Sequence, residues 1–287
     1  MANFQKHTSF FDKSFSDIKT NEYQVFLQLS RNGLSYTIFN IQTNTFIGLE
    51  SYIFNEVYND YSILNPLTQL LEQVPLLKKT FNKVVVSYVN NRATLIPKPI
   101  YQENELKSYH QFNFAAQEED VFRSDYLINV SAYNVYSIPD YIIGAFDKIE
   151  NTVFHHFSTA LIESSLLHAK KSKALSVVNV HVLPNSFQIV VIKNQNLELY
   201  NSFNYQTSED FIYYLLFVLN QLNIKSDEAT IRLTGEVDKS SAIYDMLYKY
   251  IHTIDFCEIP NELNYSYVFE KTQKHYHYAL FNQYLCE

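Results

Sequence analysis

The chain has 287 residues, 47% of them hydrophobic and 18% charged, which excludes a disordered chain and gives length for one large domain or two of ordinary size. Lys and Arg total 22 against 30 acids, a net charge of −8, and the densest basic cluster is the short AKKSK at 169–173. This balance argues against a nucleic-acid partner, whose phosphates demand a basic face.

Two cysteines, Cys257 and Cys286, make no disulfide framework and read as free thiols in a reducing compartment. The N-terminal MANFQKHTSFFDKSFSD has no apolar core and is not a secretory signal. The longest apolar run, FIYYLLFVL at 211–219, is too short for a membrane span and reads as a buried helix. The expectation is a soluble cytoplasmic protein.

Residues 1–19 read as an unpatterned leader. YQVFLQLS at 23–30 alternates as a strand does, RNG at 31–33 is a turn with Gly33 placed for a positive φ, and two more strands follow near 34–41 and 45–54. NPLTQLLEQVPLLKK has helical spacing, with Leu67, Leu70, Leu71 and Leu76 on one side and Pro75 to end or bend it. NKVVVSYV at 82–89 is a buried strand, and the two prolines of NNRATLIPKPIY argue for a loop. A helix in ENELKSYHQF, one strand over 124–139, a helix from Pro139–Asp140, a strand in TVFHHF and a Ser/Thr-capped helix in STALIESSLLHAK complete the first half.

The order then begins again. KALSVVNVHV, FQIVVIK and LELYNSFNY are three strands joined by the turns LPNS and NQN. TSEDFIYYLLFVLNQLN opens with Thr207 and Asp210 at capping-box spacing. ATIRLTG is a strand ending in Gly235, DKSSAIYDMLYKYI a helix, TIDFCEIP a strand and HYHYALFNQYL a closing helix. Both halves thus share the order βββαβαβα. The boundaries expected are a leader at 1–19, half one at 20–150, a connecting strand and helix at 151–172, and half two at 173–287.

A βββαβαβα unit is ribonuclease H-like, and two in tandem resemble the actin-like ATPase fold, in which nucleotide sits between the halves. The stretches LSYTIFNIQTNTFIGLESYIF, LPNSFQIVVIKNQNLELYNSFNYQTSEDFIYYLLFVLNQL and IRLTGEVDKSSAIYDMLYKYI look more closely like domain-of-unknown-function family 3822, from about residue 20 to the end. The resemblance implies a tandem ribonuclease H-like α/β fold and a cleft in which ATP and Mg²⁺ would be expected. At the level of fold it is also similar to actin-like cytoplasmic proteins of pilus and type II secretion machinery.

The residues at the matching positions depart from that chemistry. Such ATPases carry an Asp and a Gly at the first turn of each half, for the metal's water shell and the phosphate. In the first hairpin the matching positions hold Gln28 and Ser30, or Ser30 and Asn32 before Gly33, and no acid occurs between Glu22 and Glu50. In the second they hold His181 and Leu183, beside Asn185 and Ser186, and no acid occurs between Glu163 and Glu198. Without a carboxylate at either hairpin, metal placement and water activation are lost, and a ribonuclease H-type nuclease fails for the same reason. The adenosine segment keeps Gly235 and Glu236, with Ser240–Ser241 opening a helix whose N-terminus suits an anion or a ribose; an ordinary strand-to-helix turn explains the same glycine.

His155–His156 and His275/His277 lack the spacing of a zinc site, and no GxSxG elbow marks a serine nucleophile. Cys257 reads as inert packing. The acids of QEED at 117–120 and SED at 208–210 read as solvated loop and helix-start charges. Tyr (24) and Phe (22) crowd YNVYSIPDYIIGAF and NYSYVFEKTQKHYHYALF, which suits either core or an interface.

The sequence therefore predicts a non-enzymatic actin-like binding or scaffold protein with degenerate phosphate motifs. It predicts no catalytic or metal residues, no cofactor (ATP/Mg disfavoured), and a protein or peptide partner. Candidate cleft residues are Ser30, Asn32, Gly33, His181, Asn185, Ser186, Gly235 and Glu236. The alternatives are a weak ATP-binding switch or ATPase drawing an acid from Asp238 or the 117–120 loop into the cleft, and a small-molecule sensor. Partner, process and oligomeric state are not legible.

Overall fold

The computed structural model describes residues 3–55, 57–172, 175–226, 229–259, 263–270 and 272–286. Its first sheet has strand order β1-β4-β3-β2-β5-β9, built from β1 (Phe4–Phe11), β2 (Tyr23–Ser30), β3 (Gly33–Asn40), β4 (Thr45–Phe54), β5 (Lys83–Tyr88) and β9 (Thr152–His156). Strands β2, β3 and β4 form an antiparallel meander, and β5 and β9 run parallel to β2. Between β5 and β9 come a three-stranded sheet, made of β6 (Ala93–Pro97), β7 (Asp120–Leu127) and β8 (Ala132–Pro139), with α2 (Leu106–Asn113) packed on it, and α3 (Asp140–Ala145).

The second sheet repeats the core order as β12-β11-β10-β13-β14, from β10 (Ser176–Leu183), β11 (Ser186–Lys193), β12 (Asn196–Asn204), β13 (Thr230–Gly235) and β14 (Thr253–Phe256). Here too the first three strands are antiparallel and the last two parallel. The β11–β12 turn is a two-residue loop in which Asn194 and Gln195 both have positive φ, the conformation that matches strand twist.

Each sheet has two apolar faces, as period-2 strands with both sides covered must. The outer face of the first sheet packs under α1 (Leu64–Gln73) and α3 through Leu67, Leu70, Ile142 and Phe146. The outer face of the second packs under α5 (Ser208–Gln221) and α6 (Ala242–Tyr250) through Phe211, Leu215 and Leu247. The Thr207/Asp210 capping box of α5 forms as the sequence predicts.

The inner faces are exchanged. Helix α4 (Phe157–Lys171) follows the last strand of the first sheet, yet its Phe157, Leu161 and Leu166 join Val177, Val190 and Ile192 of the second sheet. The chain end returns the exchange. After the two-residue strand β15 (Asn264–Tyr265), which pairs with β4, helix α7 (Tyr278–Asn282) puts Leu280 and Phe281 against Phe26, Phe39, Phe46 and Val85 of the first sheet. Gln283 Nε2 then donates to the Leu27 carbonyl (3.0 Å) and to Ser87 Oγ (2.6 Å).

Four expectations need correction. The supposed leader contains β1, which pairs antiparallel with β4; its Phe4 and Phe11 pack on the outer-face core. Lys6 and Ser9 of β1 donate to Glu50 Oε1 at 2.6 and 2.8 Å, while Tyr36 and Tyr52 donate to Oε2. Burial alone would push the Glu50 carboxyl up, but the hydrogen bonds from Lys6, Tyr36, Tyr52 and Ser9 outweigh it and hold it below its usual range. The 90–101 loop contains β6, because Pro97 falls at a strand end and Pro99 in a 3-10 turn, where no ladder donor is needed. Residues 124–139 are not one strand: Ser131 at φ 55° reverses the chain between β7 and β8. The cap of α4 is His156, whose Nδ1 accepts from the Ser158 N–H, rather than a Ser or Thr.

Phe281 is 1% exposed and meets Phe46, Tyr265 and Phe269 edge-on at ring separations of 5.0–5.5 Å. Truncating it leaves a cavity that the packed strands cannot close. Phe281→Ala is expected to lower unfolding free energy by about 3–5 kcal/mol, measured by urea denaturation; a loss under about 1 kcal/mol would show that the chain end contributes little to the first sheet.

Candidate functional site

The second hairpin and the adenosine-like segment come together. Strand β10 pairs with β13 so that His181 faces Thr234 and Val182 faces Gly235. Gly235 has φ +82°, and a Cβ there would lie 2.2 Å from the Val182 carbonyl oxygen, so the position requires glycine on both counts. The Glu236 N–H donates to the same carbonyl (2.7 Å), and burial pushes the Glu236 carboxyl up.

The chain's own C-terminal segment occupies this strand-to-helix step. The Gly235 N–H donates to the His275 carbonyl at 2.8 Å, His275 Nε2 bonds the Val237 carbonyl at 2.7 Å, and Tyr276 OH donates to Asp238 Oδ2 at 3.2 Å. The His275 ring lies on Phe256 at 4.5 Å. Asp238 also accepts from the Ser240 N–H (2.7 Å) and hydroxyl (2.6 Å), which hold its carboxyl low, and Ser241 Oγ caps the helix at Tyr244 N. Asp238, considered above as a cleft acid, is thus held at the helix start.

His181 is 1% exposed; its Nδ1 bonds Thr234 Oγ1 at 2.9 Å, and its Nε2 is buried without a partner. Asn185 accepts the Tyr205 N–H, and Ser186 begins β11 opposite Asn204. Ser30, Asn32 and Gly33 lie at the matching end of the first sheet, where Ser30 Oγ donates to the Gly33 carbonyl and the Asn32 carbonyl accepts the Phe54 N–H. Gly33 does not take the positive φ expected of it. Its reason is close approach: a Cβ would lie 2.0 Å from the Tyr52 carbonyl oxygen.

The hydrogen bonds that join the two sheets near the hairpins come from residues the sequence did not single out. Gln188 Nε2 donates to Asn91 Oδ1 (3.0 Å), and Asn91 Nδ2 donates to Asn204 Oδ1 (2.9 Å). Beside them Asn90 Oδ1 meets His156 Nε2 (3.1 Å), and His156 Nδ1 meets Ser158 Oγ (2.6 Å). Gln28 Oε1 and Gln188 Oε1 are buried without partners. A lone Asn or Gln carries no sequence signal for such a bridge.

A carboxylate does reach the α4 N-terminus, and it comes from neither expected source. Asp125 of β7 is 6% exposed and accepts four hydrogen bonds: Tyr136 OH (3.0 Å) and His155 Nδ1 (2.9 Å) at Oδ1, the His156 N–H (2.9 Å) and Thr159 Oγ1 (2.6 Å) at Oδ2. Both oxygens are saturated by the protein, which leaves little for a metal's water shell. In the 117–120 loop, Asp120 is held by Arg92 at 2.8 and 2.9 Å. Among the described residues no group of three or more His, Cys, Asp or Glu could hold a metal ion.

A separate cavity of about 850 Å³ opens at the other end of the second sheet, at the starts of β10 and β13, lined by residues that include His168, Arg232, Phe256, Tyr278 and Phe281; none of the eight candidates lines it. Burial pushes the Cys257 thiol up to about 12, consistent with an inert packed side chain.

These features define a tandem α/β protein of the actin-like ATPase fold. Similar solved structures include a Bacteroides thetaiotaomicron protein of actin-like ATPase fold and unknown function (TM-score 0.76, 20% identity, covering 87% of this chain and 95% of that one). A second is the PilM-PilN type IV pilus biogenesis complex (TM-score 0.60, 10% identity, 91% and 97% coverage). The chain belongs to the family described as "Protein of unknown function (DUF3822)", which matches residues 12–254. No curated protein matches it. Among the described residues no helix is long and apolar enough to cross a membrane.

Two consequences are measurable. Burial pushes His156, His181 and His277 down to about 4, against about 6.5 in an unfolded chain. Between those values the unfolded chain binds the extra protons, so stability rises with pH and is lost as pH falls from about 6.5 toward 4. His181→Gln should flatten the stability–pH slope by up to about 1.4 kcal/mol per pH unit in that window, read from urea midpoints at several pH values; an unaltered slope would mean that His181 titrates normally. Gly235→Ala, forced into a left-handed φ against the Val182 carbonyl, should cost about 1–3 kcal/mol in the same assay.

Proposed function

We propose that this protein is a non-enzymatic actin-like binding or scaffold protein whose partner is a protein or peptide. One observation carries the reading: the Gly235 N–H, in the segment that resembles the adenosine motif, is held by the His275 carbonyl of the chain's own C-terminal segment. Three others support it. The hairpins hold Gln28 or Ser30 in the first half and His181 in the second where phosphate chemistry requires a carboxylate. Asp125, the buried acid at the α4 N-terminus, is saturated by four protein donors. The Gln188–Asn91–Asn204 chain bridges the halves beside the second hairpin. That one fold neighbour was solved as a PilM-PilN complex is compatible with a scaffold role on this fold.

Calorimetry of the purified protein with ATP, with and without Mg²⁺, tests this. No heat of binding at millimolar nucleotide is expected. Magnesium-dependent binding at micromolar affinity would overturn the reading and favour the rival, an ATP-binding switch that displaces the 272–278 segment from Gly235.

A further inference from the structure

The two sheets share one strand order, but their outer edges differ. In the first sheet the third meander strand, β4, is covered along its edge by β1. Nine of its ten residues are buried or half-buried, and Tyr52 and Phe54 are among the buried ones. In the second sheet the equivalent strand, β12, ends the sheet, and not one of its nine residues is fully buried. Its sequence, NLELYNSFN, contains neither Pro nor Lys, the residues that usually blunt an edge against strand addition. Glu198 is the extra residue of a bulge, between the Leu197–Ile192 and Leu199–Val191 pairs, and makes no ion pair among the described residues.

Aromatic side chains of α5 lie over this strand. On α5, Tyr214 stacks on Phe203 of β12 at 5.1 Å, while Tyr213 and Phe217 stack on each other at 6.4 Å and remain 63% and 47% exposed. Tyr213 meets Tyr214 edge-on at 5.4 Å, so the exposed pair, one helical turn apart, is joined through Tyr214 to Phe203 of the open strand; an open edge strand takes an extended peptide by ladder hydrogen bonds, and neighbouring apolar groups take its alternate side chains.

The chain itself displays what such an occupant looks like. At the equivalent edge, β1 runs antiparallel to β4 as FQKHTSFF. Its Phe4 and Phe11 pack on the outer-face core that α1 also covers, and its Lys6 reaches the β4 carboxylate Glu50. We propose that β12 and α5 form the docking site for an extended segment of a partner protein, added antiparallel to β12. The segment carries large apolar side chains at alternate positions against Tyr213 and Phe217, and a basic residue opposite Glu198. This deepens the binding reading above and rests on it; nucleotide calorimetry and edge-strand binding are read separately, so each can fail alone.

The probe is a fluorescent peptide of residues 3–12, NFQKHTSFFD, titrated into the full-length protein by anisotropy, with hydrogen exchange followed at residues 196–204. Saturable binding with new amide protection in β12 is expected, with loss of both for a peptide N-methylated along one edge. The exposed changes Tyr213→Ala and Phe217→Ala together should weaken binding about tenfold or more, and Glu198→Lys about threefold. Three results overturn the proposal: no saturation at millimolar peptide; protection confined to β4, meaning strand exchange into the first sheet; or a concentration-dependent dimer in sedimentation that Tyr213→Ala/Phe217→Ala dissolves, meaning that a second copy occupies the edge.

Discussion

The exchange of inner-face helices between the two sheets is the interaction on which the rest of the molecule depends. The inner face of the second sheet is completed by α4, which grows out of the last strand of the first, and the inner face of the first sheet is completed by α7, at the far end of the chain. Neither sheet can bury that face with its own helices. Since apolar burial supplies most of the drive to fold, the two halves stabilise one another, and the α4·α7 contact becomes the seam of the whole structure. Polar groups buried in the interior, such as Asn134, Ser158, Asn179 and Gln283, need partners inside the protein, and Asn134 Oδ1, Asn179 Nδ2 and Gln283 Oε1 lack one.

That requirement shapes the region where an actin-like protein would hold its nucleotide. The chain that carries α7 to the first sheet passes over Gly235 on the way, and its His275 carbonyl takes the N–H at the strand end. Asp125, brought from the inserted sheet to the α4 N-terminus, lies at the positive end of the helix dipole and accepts four hydrogen bonds from the protein. The polar groups that remain, Gln28, His181 and Gln188, are neutral and partly unpartnered. Around the hairpins, hydrogen bonds of Asn91 with Gln188 and Asn204 join the two halves.

Internal duplication also makes the asymmetries informative. The two sheets share one core strand order, so their equivalent positions can be compared directly. The clearest is the edge: β1 covers β4, and nothing among the described residues covers β12. Equivalent turns differ as well. The β11–β12 turn uses two consecutive positive-φ residues, Asn194 and Gln195, whereas the equivalent β3–β4 turn uses one, Asn44.

The sequence by itself determined the duplicated order of strands and helices, the α5 capping box and the lack of carboxylates at the two hairpins. These are local properties, written in period-2 and period-3.6 patterns, in caps and in side-chain identity. It did not disclose β1, whose polar-rich FQKHTSFF becomes a strand only because β4 offers an edge and Glu50 a partner for Lys6. Nor did it disclose β6, where Pro97 is harmless only because it ends the strand, or the reversal at Ser131. The Asn91–Gln188 bridge, the saturated Asp125 and the His275 carbonyl on Gly235 were likewise decided by tertiary structure alone. These contacts join residues 11 to 97 positions apart, and no local pattern encodes which distant donor will meet which buried acceptor.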